Sequence, residues 1–169
     1  MSKLRQSELR SEVLLIRDST PLAPRESFEL AFNVLNAGII APTSTIAGYW
    51  PIRREADTRP LLRILCQSGH NLSLPVLQKK GETLIFRRWR SFDALQPGKF
   101  GTWQPWPEQP FINPTVLLLP LVVFDGAGGR IGYGGGHYDR TLAVLRKKRQ
   151  VAVVGLAREL QRVHSIPLC

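Results

Sequence analysis

Residues 115–157 read TVLLLPLVVFDGAGGRIGYGGGHYDRTLAVLRKKRQVAVVGLA, and this stretch decides the fold. Its first ten residues, Thr115–Phe124, form an apolar run typical of a buried strand, and seven glycines follow within residues 126–136. Apolar residues then recur at helical spacing from Tyr138 onward, and residues 151–157 form a second buried-strand pattern. The order strand, glycine loop, helix, strand predicts a βαβ unit with parallel strands.

The glycine loop is the candidate ligand site. Glycine concentrates where the backbone needs positive φ or approaches a ligand closely, and the N–H groups at a helix start bind anions. A P-loop needs Gly-Lys-Ser/Thr at this point, but the chain has Gly136-His137-Tyr138. The dinucleotide fingerprint fails as well, because Ile131 stands where its last glycine would be. The loop therefore predicts a ligand site of neither standard class, and the alternative is a long flexible connection.

Composition bounds the class of protein. With 169 residues, 43% of them apolar, we expect a single domain over 1–169. The net charge of +10 indicates an anionic partner: nucleotide phosphates, a polyanionic small molecule, nucleic acid or a membrane surface. The longest apolar run is too short to cross a bilayer and the first residues lack a signal-peptide core, so we expect a cytoplasmic protein without a membrane partner. Cys66 and Cys169 fit neither a metal spacing nor a disulfide framework, and we interpret both as reduced thiols without function.

Helix and strand patterns also alternate before this stretch. Helical patterns cover residues 6–18, 20–38 and 58–69, and strand patterns cover residues 45–50, 71–77 and 83–89. The last two strands flank the turn 79–81, which predicts a hairpin. The proline- and tryptophan-rich residues 96–107 predict an irregular loop that walls an apolar pocket.

A family resemblance rests on two segments of the deciding stretch. Residues 129–140 (GRIGYGGGHYDR), preceded by 119–125 (LPLVVFD), resemble the signature of the 5-formyltetrahydrofolate cyclo-ligase family, also called methenyltetrahydrofolate synthetases. Family members usually carry an aromatic residue where this chain has His137, a departure that leaves the backbone cradle intact. The resemblance implies a single-domain α/β fold in three layers, with a mostly parallel sheet flanked by helices.

The resemblance also implies a reaction and its partners. ATP would phosphorylate the N5-formyl oxygen of 5-formyltetrahydrofolate, and N10 would attack the activated carbon. The products would be 5,10-methenyltetrahydrofolate, ADP and phosphate, with Mg²⁺ as a cofactor. We expect a monomer whose partners are a reduced folate and ATP, and no nucleic acid.

By resemblance, the nucleotide phosphates lie at the glycine loop. The implied phosphate-binding residues are Arg130, Gly132, Gly134, Gly135, Gly136, His137 and Tyr138. Tyr133 and His137 would lie between nucleotide and folate, which makes them the catalytic candidates, and Tyr133 would also contact the folate. Asp139 follows the glycines by three residues, where a carboxylate can bind Mg²⁺ beside a phosphate.

A second segment, residues 49–58 (YWPIRREADT), resembles the folate site of the family. Trp50 would stack on a flat ring, and the Glu55 carboxylate would accept hydrogen bonds from the amino and ring N–H groups of a pterin. The structural alternatives are core packing for Trp50 and a surface salt bridge from Glu55 to Arg53 or Arg54.

Phe100 is the third folate candidate. Phe100 and Gly101, with Gln104 and Pro105, resemble a Phe-Gly-x-x-Glu/Gln-Pro segment of the family. The alternative for the aromatic residues of this passage is packing alone.

Near the N-terminus, the family carries a Lys-x-x-x-Arg pair that reaches the ATP phosphates. Arg10 matches the arginine, but Gln6 stands at the lysine position, so Lys3 or Arg5 would have to substitute. The alternative is that these cations, together with Arg17, form a solvated helix face.

Two further hypotheses remain open. The family sequence continues to a second acidic metal ligand and a terminal strand, whereas this chain stops at Cys169, so we expect that segment to be lacking. The alternative function is therefore a catalytically weak or inactive folate- or nucleotide-binding relative. A nucleic-acid binder would use the four adjacent cations at 146–149, but cations at a helix C-terminus already have a structural explanation.

Overall fold

Helices and strands alternate along the chain in the computed structural model, which describes residues 2–79 and 81–167. The helices are α1 (Ser2–Ser19), α2 (Pro24–Asn36), α3 (Arg59–Gln67) and α4 (His137–Arg146). The strands are β1 (Thr45–Ala47), β2 (Asn71–Val76), β3 (Ile85–Arg88), β4 (Leu95–Pro97), β5 (Trp103–Pro105), β6 (Val116–Pro120), β7 (Val123–Asp125), β8 (Arg130–Ile131), β9 (Ala152–Leu156) and β10 (Arg162–Val163). Lys80 of the predicted turn and Cys169 lie outside the described residues.

A five-stranded sheet in the order β3-β2-β1-β6-β9 forms the centre of the molecule. β1 pairs in parallel with β2 and β6, β6 pairs in parallel with β9, and β3 joins β2 antiparallel. The predicted α/β class, the βαβ unit and the hairpin of β2 and β3 are thereby confirmed.

Helices cover both faces of this sheet. Along β6, Leu118 packs in a core with Leu61 of α3 and Val34 of α2, while Leu117 packs on the other face with Leu142 of α4. Successive side chains of a strand point to opposite faces, so a strand buried on both sides reads as a continuous apolar run. The three predicted layers follow from this arrangement.

The apolar run Thr115–Phe124 does not form the single strand that its composition predicts. β6 ends at Pro120, and after two residues β7 enters a second sheet in the order β10-β7-β8. Proline has no N–H to donate, so the pairing of β6 loses a hydrogen-bond donor at Pro120, where the strand ends. The predicted glycine loop was also partly wrong, because Arg130–Ile131 pairs with β7 as strand β8.

Helix α1 packs on the second sheet through Val13, which shares one core cluster with Val122, Val123 and Ile131. The solvated basic face considered as the alternative is wrong for Arg17, which is completely buried. The inward face of α1 runs through positions 6, 10, 13 and 17. Three of these residues are polar, namely Gln6, Arg10 and Arg17. No helix among the described residues is both long and apolar enough to cross a membrane.

Arg158 connects α1 and α2 to the chain after β9. Its buried guanidinium donates to both carboxylate oxygens of Glu26, at 2.8 and 3.1 Å, and to the carbonyl oxygens of Thr20 and Pro21 at 2.9 and 2.8 Å. A buried guanidinium needs such a full set of acceptors, because an unpaired buried charge is strongly destabilising. The contact ties the connection between α1 and α2 to the chain after β9.

This ion pair predicts a pH-dependent stability. The hydrogen bond from Arg158 holds the pKa of Glu26 below its ordinary value, so ionised Glu26 stabilises the fold above the unfolded-state pKa of about 4.3. The contribution is lost as the pH falls through the folded-state pKa. We expect Glu26→Gln to be less stable than wild type in urea at neutral pH, with a gap that closes in acid. Glu29→Gln, an exposed change on α2, should leave stability unaltered, and a gap for Glu26→Gln that stays constant into acid would contradict the assignment.

Candidate active site

A cavity of about 620 Å³ opens at the carboxyl ends of the central strands. β1 and β6 are neighbours there, and the chain leaves β1 toward β2 but leaves β6 toward β9, on the opposite side. Ligands of α/β proteins bind at such a switch point. The predicted site residues that line the cavity are Arg10, Trp50, Glu55, Phe100, Arg130, Gly132, Tyr133, Gly134, Gly135, Gly136, His137, Tyr138 and Asp139. Lys3 is exposed and lies outside the lining, whereas Gln6 is part of it.

The glycines shape one wall of this cavity. Gly134 and Gly136 have φ of 92° and 65°, in the left-handed region that favours glycine. Gly136 is the N-cap of α4 and has no side chain to cap the helix. The first N–H groups of α4 are therefore not capped by that residue, which leaves a site for an anion.

Three arginines surround the same turn. Arg10 Nε donates to the carbonyl oxygen of Gly132 at 2.8 Å, and Arg140 Nη2 donates to that of Gly135 at 2.7 Å. Arg130 lies in the cavity wall beside them. Sequence reasoning missed Arg140, although its position four residues after Gly136, on the first turn of the helix, was visible. The concentration of positive charge favours a polyanionic group at this end of the cavity.

Asp139 is the carboxylate of this end. Its side chain is 69% exposed and forms an ion pair with Arg130, with 2.5 Å between Oδ1 and Nη2. Among the described residues, no three side chains of the metal-binding types cluster to hold a metal. A cation at Asp139 would thus need oxygen ligands from a phosphate or from water, which suits Mg²⁺.

Glu55 marks the opposite end of the cavity and is only 4% exposed. Its Oε2 accepts the N–H of Ile52 at 2.9 Å, and its Oε1 accepts the hydroxyl of Tyr133 at 2.6 Å. The surface salt bridge considered as the alternative is excluded by this burial and by these partners. Burial raises the pKa of Glu55 above its ordinary value, and the hydrogen bond from Tyr133 offsets part of that rise.

Tyr133 joins Glu55 to Arg17. Arg17 Nη1 donates to the Tyr133 hydroxyl at 2.6 Å, and its guanidinium carbon lies 5.6 Å from the ring centroid. Burial, followed by the nearby Glu55 charge, raises the pKa of Tyr133, so its hydroxyl remains a donor at neutral pH. Sequence reasoning missed Arg17 as part of the site; the available signal was its position on the same helix face as Arg10.

Aromatic side chains form the remaining wall. Trp50 is half-buried and packs edge-on against Trp89, with ring centroids 5.7 Å apart, so it belongs to both the core and the cavity. Phe100 is 72% exposed and has φ of 57°, an unusual backbone for a residue other than glycine. Such strained positions concentrate at ligand sites.

The passage that carries Phe100 is not the predicted irregular loop. β4 and β5 pair antiparallel around it as a two-stranded sheet. The turn is closed by the N–H of Gly98, which donates to the carbonyl oxygen of Thr102 at 2.8 Å. The prolines were misleading because Pro97 and Pro105 stand at strand ends, where fewer backbone hydrogen bonds are required, and Pro107 follows β5.

His137 stands at the start of α4, where its Nδ1 has two polar neighbours. The carbonyl oxygen of Glu82, which only accepts, lies 3.2 Å away, and Arg140 Nη2, which only donates, lies 3.5 Å away. The shorter contact favours a hydrogen on Nδ1, whereas the contact with Arg140 favours the other tautomer. The ring lies over Gly135, where a Cβ would come within 2.9 Å of the His137 Cδ2 atom.

Comparison with known proteins was made on sequence and on structure. Residues 2–168 match the model of the 5-formyltetrahydrofolate cyclo-ligase family. The chain is 30% identical to a 5-formyltetrahydrofolate cyclo-ligase of Haemophilus influenzae, over 99% of this chain and 92% of that protein, and 29% identical to one of Mycolicibacterium smegmatis, over 99% and 89%.

Solved structures agree with these matches. An NMR structure of a 5,10-methenyltetrahydrofolate synthetase of Aquifex aeolicus covers 97% of this chain, and the chain covers 83% of that protein, with a TM-score of 0.73 and 30% identity. A synthetase of Mycoplasma pneumoniae has the same fold, with a TM-score of 0.70 at 23% identity and coverage of 95% and 89%. The family match over nearly the whole chain, together with this cavity, shows that the protein belongs to the 5-formyltetrahydrofolate cyclo-ligase family.

Proposed function

We propose that the protein converts 5-formyltetrahydrofolate to 5,10-methenyltetrahydrofolate, with ATP as the phosphoryl donor and Mg²⁺ as cofactor. The observation that carries the proposal is one cavity with two different ends. A buried carboxylate, Glu55, lies at one end, and the glycine turn with its arginines lies at the other. Tyr133 lies between them and contacts Glu55 directly.

The Glu55 end suits a reduced pterin. An ionised carboxylate only accepts hydrogen bonds, and a pterin presents an amino group and ring N–H groups that donate them. Each oxygen of Glu55 has one protein partner, which leaves lone pairs for the substrate. Trp50 and Phe100 supply apolar surface for the flat rings.

The glycine end suits the triphosphate of ATP. The N–H groups at the start of α4 and the guanidinium of Arg130 would hold the phosphates, as would Arg10 if it released the carbonyl oxygen of Gly132. Lys3 lies outside the cavity lining, so a role for it requires the chain near α1 to close over the nucleotide. Fixing the γ-phosphate against the formyl oxygen is the main task, since positioning and charge neutralisation dominate phosphoryl transfer.

The residues present fit a magnesium ion. Asp139 provides one exposed hard oxygen ligand at the phosphate end, and Mg²⁺ commonly binds through one or two carboxylates together with substrate phosphates. Bound there, the ion would neutralise phosphate charge. Asp139 would then exchange its ion pair with Arg130 for the metal, which releases Arg130 to the phosphates.

The chemistry balances without a covalent enzyme intermediate. The formyl oxygen forms a bond to the γ-phosphorus while the bond to the β–γ bridging oxygen breaks and ADP leaves. N10 then attacks the formyl carbon, and the carbon–oxygen bond breaks to release phosphate. N10 loses its proton in this step, and the ring of His137, which lines the cavity, is the candidate acceptor. Tyr133 donates its hydroxyl hydrogen to Glu55, the carboxylate that would bind the folate.

A direct assay tests the proposal. Purified protein with 5-formyltetrahydrofolate and Mg-ATP should show methenyl absorbance rising in step with ADP. If soluble folded protein bound the folate by calorimetry but formed neither product, the non-catalytic alternative would replace the proposal.

Replacing Asp139 with asparagine tests the metal assignment. We expect the Mg²⁺ concentration for half-maximal rate to rise about tenfold or more, because a neutral amide is a weaker ligand than a carboxylate. The KM for folate should remain unchanged. Glu12→Gln, an exposed carboxylate change on α1, is the control and should leave the Mg²⁺ dependence as in wild type. An unaltered Mg²⁺ curve for Asp139→Asn would remove Asp139 from the metal site.

A further inference from the structure

We propose that Arg17 is a positioning residue for this reaction: from the buried face of α1 it orients the Tyr133 hydroxyl, so that Glu55 meets the folate as an ionised acceptor. Arg17 does not line the cavity, so it would act through Tyr133. The inference rests on the proposed function, because it assigns a role at the folate end of the same cavity.

The donor and acceptor capacities determine the direction of this hydrogen-bond chain. A guanidinium only donates, so the Tyr133 oxygen must accept from Arg17 Nη1 at 2.6 Å. The single hydroxyl hydrogen of Tyr133 is then directed to Oε1 of Glu55 at 2.6 Å. Without Arg17 the hydroxyl could rotate and accept from another donor, for example a pterin N–H. Arg17 therefore determines whether the Tyr133 hydroxyl donates to Glu55 or accepts a hydrogen bond from the substrate.

Arg17 also places a positive charge near the buried carboxylate of Glu55. Glu55 is buried, and burial alone favours its protonated form, which would donate to a pterin instead of accepting from it. The hydrogen bond from Tyr133 and the positive charge of Arg17 oppose that, while Asp18 acts in the other direction. The other titratable groups that face Glu55 are Tyr49 and Tyr138, and burial raises the pKa of both, so they remain neutral.

The two arginines of the Glu55 loop differ from Arg17 in exposure. Arg53 is exposed and Arg54 half-exposed, whereas Arg17 is completely buried. Solvent screens a charge on the surface far more than a buried one. Arg17 is thus the cation whose removal should alter Glu55 most.

A purely structural role for Arg17 makes a different prediction. Arg17 Nε donates to Oδ1 of Asp18 at 2.9 Å, and the residue helps to hold α1 against the sheet. If that were its whole contribution, substitution would lower stability and leave the pH dependence of folate binding unchanged. The pH profile therefore separates the two roles.

The experiment compares Arg17→Met and Arg17→Lys with wild type. The dissociation constant of 5-formyltetrahydrofolate is measured by calorimetry across the acid range, and kcat/KM is measured alongside. Protonation of Glu55 should weaken folate binding at low pH, and we call this decline the acid limb of the profile. In Arg17→Met we expect the acid limb to move to higher pH by about one unit, because a neighbouring opposite charge lowers a carboxyl pKa by 1–3 units. The KM for folate at neutral pH should rise about tenfold while the KM for ATP changes less than about twofold. Arg17→Lys retains the charge, so its limb should lie nearer to wild type.

Val13→Ala is the matched control, because Val13 is a buried core residue on the same face of α1. It should lower the urea midpoint of unfolding without moving the acid limb. Tyr133→Phe is the second variant, since Tyr133 is 40% exposed and its loss should be tolerated by the fold. It should shift the limb in the same direction, and the double variant with Arg17→Met should shift it no further.

The outcomes separate the two proposals. An active wild type together with an Arg17→Met variant whose acid limb stays in place would overturn the role of Arg17 alone, whatever the result for Tyr133→Phe. A wild type that binds no folate and forms no methenyl product would overturn the proposed function itself.

Discussion

Gly136→Ala is expected to lower kcat/KM for ATP about a hundredfold or more. Gly136 has φ of 65°, a left-handed conformation that costs a residue with a Cβ roughly 1–2 kcal/mol. Its new Cβ would lie 2.6 Å from Arg140 Nη1, which must then move away from the carbonyl oxygen of Gly135. Two misplaced phosphate hydrogen bonds, at about 1.5–3 kcal/mol each, account for the predicted loss. Steady-state rates at varied ATP measure it.

Gly38→Ala is the matched control for this change. Gly38 has nearly the same φ, 68°, but lies after α2 with no atom within 4 Å of an added Cβ. Both variants should lose similar stability in urea, because the backbone strain is the same. Only Gly136→Ala should lose activity, and equal activities in the two variants would show that the turn before α4 does not hold the nucleotide.

Glu55→Gln is expected to lower kcat/KM for 5-formyltetrahydrofolate about a hundred- to a thousandfold. Glutamine can still accept from Tyr133, but its amide group presents N–H donors where the pterin also presents donors. Two charge-assisted hydrogen bonds to the substrate are lost, at about 1.5–3 kcal/mol each. The affinity for ATP, measured by calorimetry, should remain as in wild type because Glu55 lies at the other end of the cavity.

The variant should also lack the acid limb of folate binding, since the group that titrates has been removed. Asp57→Asn is the control: Asp57 lies on the same loop but forms an ion pair with Arg59 outside the cavity lining. It should retain folate turnover near the wild-type rate. Full folate activity in Glu55→Gln, with a retained acid limb, would place the pterin elsewhere.

Much of the central architecture was predictable because its signals are local. Glycines before a helical pattern predicted the turn that precedes α4, and the apolar runs around it predicted β6 and β9 as parallel neighbours. The motif around Glu55 and the position of Asp139 directed attention to residues that line one cavity. Their roles in binding remain predictions for the experiments above.

The sequence by itself determined the βαβ unit, the family and the chemical types available at the site, because periodicity and turn residues act over a few positions. Only the tertiary structure decided that Arg17 is buried, since its partner Tyr133 is 116 positions away. It also decided that the run 115–124 divides between two sheets, because the second part pairs with β8 and β10. Neither partner can be read from local sequence, because Tyr133 is distant from Arg17 in the chain, and β10 is distant from the run 115–124.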